Sequence, residues 1–255
     1  MINYRNAVTN LFMLFVITGF IISCSEQKKE SVKAPVPEVK VDSPKALVEK
    51  VLTAEEQAAL KPDEIIQSLK DGNKGFRTNN ITARDHSAMI RQAAGGQYPK
   101  AVILSCLDSR VPVEDVFDKG IGSLFVARVA GNFANDDILG SIEYACKVAG
   151  AKVIVVLGHE YCGAIKATID NVQMGNITNM LAKIKPAVMM SKDFDGEKSS
   201  KNNDYVTFVA INNIKHTMST IRDKSQILKE MLDKGEIKII GAFYNMETGE
   251  VIFME

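Results

Sequence analysis

The sequence predicts an α/β domain with a mostly parallel central β-sheet flanked by helices and an antiparallel edge strand at the C-terminus. Three observations carry this. Two apolar, β-branched runs, AVILS at 101–105 and KVIVVL at 152–157, are continuous rather than alternating, as strands buried on both faces are. Between them, 136–149 sets Ile138, Leu139, Ile142, Ala145, Cys146 and Ala149 on one helical face, so the interval has the build of a βαβ crossover. The last two apolar runs, 237–244 and 251–254, are joined through Glu247-Thr248-Gly249, a connection short enough for a hairpin.

The 255 residues suffice for one large domain or two small ones, and 31 basic against 31 acidic residues give no electrostatic case for a nucleic-acid partner. At the start, Arg5 precedes an apolar run at 11–22, too short to span a bilayer comfortably, and Ser23-Cys24 follows. That reads as a signal peptide over 1–23. Its ending resembles a bacterial lipobox, in which the Cys is lipidated and becomes the new N-terminus, so Cys24 is the expected lipidation site. An uncleaved anchor and a secretory peptide cut elsewhere are the alternatives. Residues 24–52, polar and interrupted by Pro35, Pro37 and Pro44, read as a flexible tether holding the domain (53–255) off a membrane on the periplasmic or cell-surface side.

Helical patterning begins at 54–60. A second helix opens at Lys61-Pro62-Asp63, where proline suits a first turn, and Asp71-Gly72-Asn73 is expected to end it. A third spans 85–94 before Gly95-Gly96. After the strand at 101–105 come a helical turn at 113–117, a strand at 124–129 and the helix at 136–149. Beyond the strand at 152–157, helices are expected from Gly163, over 177–190 with Met174, Met180, Met189 and Met190 as packing residues, over 205–222 and over 225–234.

Two of these strands end in chemistry. The first runs into Cys106, with Asp108 and Arg110 at alternate positions after it; the second ends in Gly158, His159, Glu160, Tyr161, Cys162, Gly163. Two thiolates and an imidazole with a fourth position open make a catalytic rather than a structural zinc site. The long interval from Cys106 to His159 implies a site assembled by a fold, not a zinc-finger knuckle. Two buried free thiols beside a core histidine are the plainer alternative. Cys146, on the apolar helix face, reads as a small buried hydrophobe, and His86 and His216 lack metal-like neighbours.

Cys106-Leu-Asp108-Ser109-Arg110 together with His159-Glu-Tyr-Cys162-Gly163 resembles the paired signature of the β-class carbonic anhydrases. The likeness runs from Asp63 to the C-terminus through ARVAGN at 127–132, GSIEYA at 140–145, VVLGH at 155–159 and the closing GAFYNMETGEV. It implies that family's fold, a zinc cofactor on Cys106, His159 and Cys162, and hydration of carbon dioxide to bicarbonate and a proton by a zinc-bound hydroxide. It also implies a homodimer or higher homo-oligomer whose N-terminal helices reach across a neighbouring subunit. Gln97 matches an active-site glutamine of plant-like members. Phe125 and Tyr144 match aromatic pocket positions, and Gly163 falls in the pocket. Arg128 matches a position that in some bacterial members binds inhibitory bicarbonate beside a Trp, a position that here is Ile103. Where the family usually has a small residue after the first Cys, this chain has Leu107, which strand alternation would turn away from the metal.

Asp108, on the same side of an extended backbone as Cys106, is placed to accept the proton of a zinc-bound hydroxide and orient it, or to occupy the fourth metal position itself in a closed state. Arg110 would hold that carboxylate by a paired, charge-assisted contact. Two other readings share the residues: a carbon disulfide or carbonyl sulfide hydrolase on the same site, and a non-catalytic zinc-binding lipoprotein with Asp108 closing the metal.

Overall fold

The computed structural model describes residues 50–254. The signal peptide, Cys24 and nearly all of the tether lie outside the described residues.

A five-stranded sheet forms the centre, in the order β2-β1-β3-β4-β5. β1 (Ala101–Ser105), β2 (Leu124–Arg128), β3 (Val153–His159) and β4 (Lys238–Tyr244) run parallel, and β5 (Val251–Met254) returns antiparallel against β4 at one edge. The expected architecture is therefore the observed one.

Alternate residues of β1 and β3 enter two separate apolar layers. Val102, Leu104, Ile154 and Val156 face one side, where the 22-residue helix Asn203–Lys224 packs with Val209, Ile214 and Ile221. Ala101, Ile103, Val153, Val155 and Leu157 face the other, against Ile65 and Leu69 of the helix Pro62–Arg77 and against Val113, Val116 and Phe117. Burying both faces explains the unbroken apolar runs, and each Val, Leu or Ile so buried contributes about 1.5–3 kcal/mol.

We number the helices α1 (Ala54–Ala59), α2 (Pro62–Arg77), α3 (His86–Ala93), α4 (Val113–Val116), α5 (Asp136–Glu143), α6 (Gly163–Ile169), α7 (Gly175–Leu181), α8 (Lys185–Met189), α9 (Asn203–Lys224) and α10 (Gln226–Asp233).

Four expectations need correction. α2 does not stop at Asp71-Gly72-Asn73 but runs through it to Arg77. Gly72 is there because a Cβ would lie 1.9 Å from the carbonyl oxygen of Phe117. The Asn73 amide donates to the carbonyls of Val116 and Gly249, and its oxygen accepts from the Val251 amide. These two residues are a contact surface for α4 and β5 rather than a turn.

The helix expected over 136–149 changes form at Tyr144, where Tyr144–Val148 make a wider π-helical turn that leaves Tyr144 and Val148 exposed and Ala145 and Cys146 buried. The helix expected over 177–190 is two, α7 and α8. Pro186, in the first turn of α8, has no amide hydrogen and its ring would clash with the carbonyl four residues back in a continuous helix. With that break, Met174, Met189 and Met190 are exposed, and of the methionine set only Met180 packs on the core.

Candidate metal centre

The β1–β3 register sets the site. Ser105 pairs with Leu157, so Cys106, just beyond the end of β1, and His159, the last residue of β3, emerge side by side at the carboxyl edge of the sheet. A two-residue turn then brings Cys162 to the N-cap of α6. All three side chains are buried, and their ligand atoms lie within 4.8 Å of one another. The two Sγ atoms are 3.9 Å apart. Two thiolates bound at about 2.3 Å in tetrahedral geometry would stand about 3.8 Å apart, so the pair is already spaced for zinc.

His159 completes the fit. Its Nδ1 lies 2.8 Å from the carbonyl oxygen of Glu160, which can only accept, so Nδ1 carries the hydrogen and Nε2 the lone pair. Nε2 is buried and has no hydrogen-bond partner, a costly arrangement for a polar atom unless a cation takes that lone pair.

The thiols behave as a unit. Cys106 is drawn well below the ordinary thiol range, first by the hydrogen bond from Cys162 and further by the amides of Gly131 and Asp108, all against the effect of burial. Cys162 is pushed up by donating to Cys106, by burial and by the neighbouring negative charge. The pair thus gives up its first proton easily and holds its second, which a divalent cation would displace. Cys146 is a contrast: burial alone pushes it up to about 12, as expected for an inert core thiol.

Beside the ligands, Arg110 forks onto Asp108. Nε donates to Oδ1 at 2.9 Å, Nη2 to Oδ2 at 2.8 Å, and the Arg110 amide also donates to Oδ1. This grip, with the nearby charges opposing the effect of burial, holds the Asp108 carboxyl at a pKa of about 2. Asp108 Oδ2 is 3.8 Å from His159 Nε2, so the carboxylate borders the metal position while Arg110 holds it. Leu107 points outward and is 65% exposed.

This geometry can be set beside known proteins. The sequence profile described as carbonic anhydrase matches residues 101–251. Carbonic anhydrase 2 of Mycobacterium tuberculosis is 31% identical over 198 residues, covering 74% of this chain and 91% of the relative.

The chain belongs to the carbonic anhydrase family.

A carbonic anhydrase of Mycolicibacterium smegmatis is 32% identical over 194 residues, 72% of this chain and 89% of that one. In fold, the chain is similar to the β-carbonic anhydrase CcaA, with a TM-score of 0.60 at 23% identity, covering 76% of this chain and 94% of that one. It is also similar to the tetrameric β-carbonic anhydrases of Sordaria macrospora, with a TM-score of 0.59 at 19% identity over 75% and 96% of the two chains. The β-class fold is thereby shown, while the enzyme family rests on the matching profile and the 31% identical relative.

The remaining sequence-predicted residues are not all brought together in this chain. Gly163 adjoins Cys162 and is exposed, and an added Cβ there would meet nothing within 4 Å. Gln97 is exposed in the loop ahead of β1, whereas Cys106 follows the far end of that strand. Phe125 pairs in register with Val102, four residues before Cys106 and therefore about 13 Å along the strand from it. Phe125 and Tyr144 meet edge to face at 6.5 Å and line a separate groove of about 720 Å³. Within one chain, then, Gln97, Phe125 and Tyr144 do not join the metal ligands, because the matched positions sit ahead of β1, near the start of β2 and at the π-helical turn 144–148.

Sequence reasoning missed the supports. Arg128 donates to the carbonyls of Cys106, Asp108 and Val111, clamping the loop that carries the Asp–Arg pair. Gly131, at φ +83°, aims its amide at Cys106 Sγ from 3.3 Å, and the buried Asn213 amide donates to the Gly131 carbonyl at 2.8 Å. Each link joins residues distant in the chain and leaves no local pattern.

Proposed function

We propose that this chain catalyses the reversible hydration of carbon dioxide to bicarbonate and a proton, with zinc held by Cys106, His159 and Cys162. One observation carries the reading: a buried Cys2His set at zinc spacing, with an unpartnered Nε2, beside an ionised carboxylate restrained by arginine. Zinc bound there would act as a Lewis acid, lowering the pKa of water so that a nucleophile exists near neutral pH.

The chain's own residues do the rest. Asp108, ionised and bordering the metal position, accepts a hydrogen bond from the attacking water and turns its lone pair toward the carbon. Arg110 keeps that carboxylate from taking the water's place. Arg128 fixes the backbone carrying both. The proton released when bicarbonate forms must pass to solvent.

The enzyme works as a homo-oligomer in this reading. Phe125 and Tyr144 line a groove remote from their own ligand set, Gln97 is exposed in the loop ahead of β1, and β2 is an edge strand, so in this reading these residues serve the site of a neighbouring copy. The S. macrospora relatives in fold are tetrameric. Its address is that of an exported lipoprotein acylated on Cys24, supported by the apolar run at 11–22 that ends at Ser23-Cys24. Mass spectrometry of the mature protein tests that address, and an unmodified residue 24 overturns it.

The test of function is stopped-flow carbon dioxide hydration on purified protein with zinc quantified in the same sample. Turnover that rises with zinc content is expected, and a zinc-loaded protein without hydration activity overturns the reading.

A further inference from the structure

Every polar group of Glu160 is engaged, and the engagements point in two directions. Its carbonyl accepts from His159 Nδ1 at 2.8 Å, the bond that gives the ring its tautomer and orientation. Its amide donates to the Tyr244 carbonyl at 3.1 Å. Its carboxylate reaches the β4–β5 connection, where Oε1 accepts from Asn245 Nδ2 and Oε2 from the Met246 amide, both at 2.9 Å.

The connection it grips is itself braced. Asn245 Oδ1 accepts from the amides of Glu247 and Thr248 and from the Thr248 hydroxyl, so its Nδ2 is the end left for Glu160. On the ligand side, Tyr161 sits between His159 and Cys162 at φ +55°, a left-handed conformation that is an outlier for a bulky residue and persists only where its surroundings over-determine it. Its hydroxyl donates to Glu247 Oε1 at 3.0 Å, a second tie from the same turn to the same hairpin.

We infer that Glu160 is the positioning residue for His159, and that the C-terminal hairpin, acting through the Glu160 carboxylate, holds the imidazole in its metal-binding pose. This deepens the zinc reading above and rests on it. Glu160 touches neither metal nor substrate. It acts by keeping its own carbonyl under Nδ1, the kind of outer support whose loss typically costs 10–100-fold in metal affinity.

The test uses the full chain, zinc-loaded and then metal-free. Zinc transfer to an excess of a colorimetric chelator should be ten-fold or more faster in Glu160→Ala than in the wild type. Glu160→Gln should fall between, because glutamine keeps an acceptor for the Met246 amide but turns an NH2 toward Asn245. In the metal-free proteins, 15N NMR of the imidazole should show the Nδ1–H tautomer of His159 in the wild type and a tautomer mixture in Glu160→Ala. Zinc transfer at the wild-type rate with an unchanged tautomer in a folded Glu160→Ala overturns the inference. Should that variant not fold, the same two outcomes in Glu160→Gln decide it. A wild type that takes up no zinc overturns the zinc reading instead, and the tautomer measurement still decides the role of Glu160.

Discussion

Asp108 Oδ2 stands 3.8 Å from His159 Nε2 while both of its oxygens are held by Arg110. A carboxylate this near a cation position is a rival for it, and the restraint is one arginine whose side chain is 55% exposed. We propose that the pair is a gate as well as an orienting device.

Arg110→Ala should lower the hydration rate about ten-fold or more while leaving one zinc per chain, because all three ligands remain and Asp108 is free to close on the metal. Arg110→Lys should recover part of the rate, since an ammonium cannot fork onto two oxygens. Stopped-flow rates paired with metal analysis check this, and full activity in Arg110→Ala across the pH range would remove the gate.

The same contact fixes the sign of a pH effect. Asp108 has a folded-state value of about 2, below the ordinary value of about 3.9, so its contribution to stability is full above about pH 4 and lost as pH falls toward 2. Asp108 is accordingly ionised throughout pH 5 to 9, and any change in turnover over that range belongs to another group. A 13C NMR titration of the Asp108 carboxyl should show no inflection above about pH 4 in the wild type, and a higher midpoint in Arg110→Ala.

Metal and activity should be lost together in Cys106→Ser. The serine hydroxyl is a far poorer zinc ligand than the thiolate that the Cys162 contact and the Gly131 amide favour. Atomic absorption after dialysis should give about one zinc per wild-type chain and close to none per variant chain. A metal-free variant with wild-type turnover would contradict the assignment.

Two glycines should be intolerant of alanine for separate reasons. Gly72→Ala drives a Cβ to 1.9 Å from the Phe117 carbonyl and should cost stability by about 1–3 kcal/mol with little change in zinc release, since its contact is with Phe117 and not with the ligands. Gly131→Ala sets a Cβ 2.3 Å from Ile184 Cδ1 at a backbone angle that favours glycine, and displaces the amide aimed at Cys106, so it should lower Tm and hasten zinc loss. Differential scanning calorimetry beside chelator kinetics separates the two.

What was legible in the sequence is what repeats at short range or ends a strand. β1 and β3 announced themselves by unbroken apolar runs, and the ligands were visible because each sits where such a run stops. The Asp108–Arg110 spacing was readable for the same reason. The Asp71-Gly72-Asn73 triplet misled, because glycine and asparagine are favoured both by turns and by close packing, and only the proximity of Phe117 and β5 decides between them. The break at Pro186 was open to the same local reading and was passed over. Gln97, Phe125 and Tyr144 were matched by resemblance, which transfers positions along a chain but does not bring them to the ligand set within it. Arg128, Asn213 and Glu160 act through contacts spanning 17–22, 82 and 85–86 residues respectively, beyond any window of periodicity.

The ladder between β1 and β3 has one further consequence. A slip of one residue would carry Cys106 about 3.3 Å past His159 and turn it to the opposite face of the sheet, leaving no point that a single small ion could bridge. Binding is thus conditional on correct strand alignment, and a bound cation rewards only chains that have threaded correctly. A metal bound here would be an inspector of folding before it was a reagent.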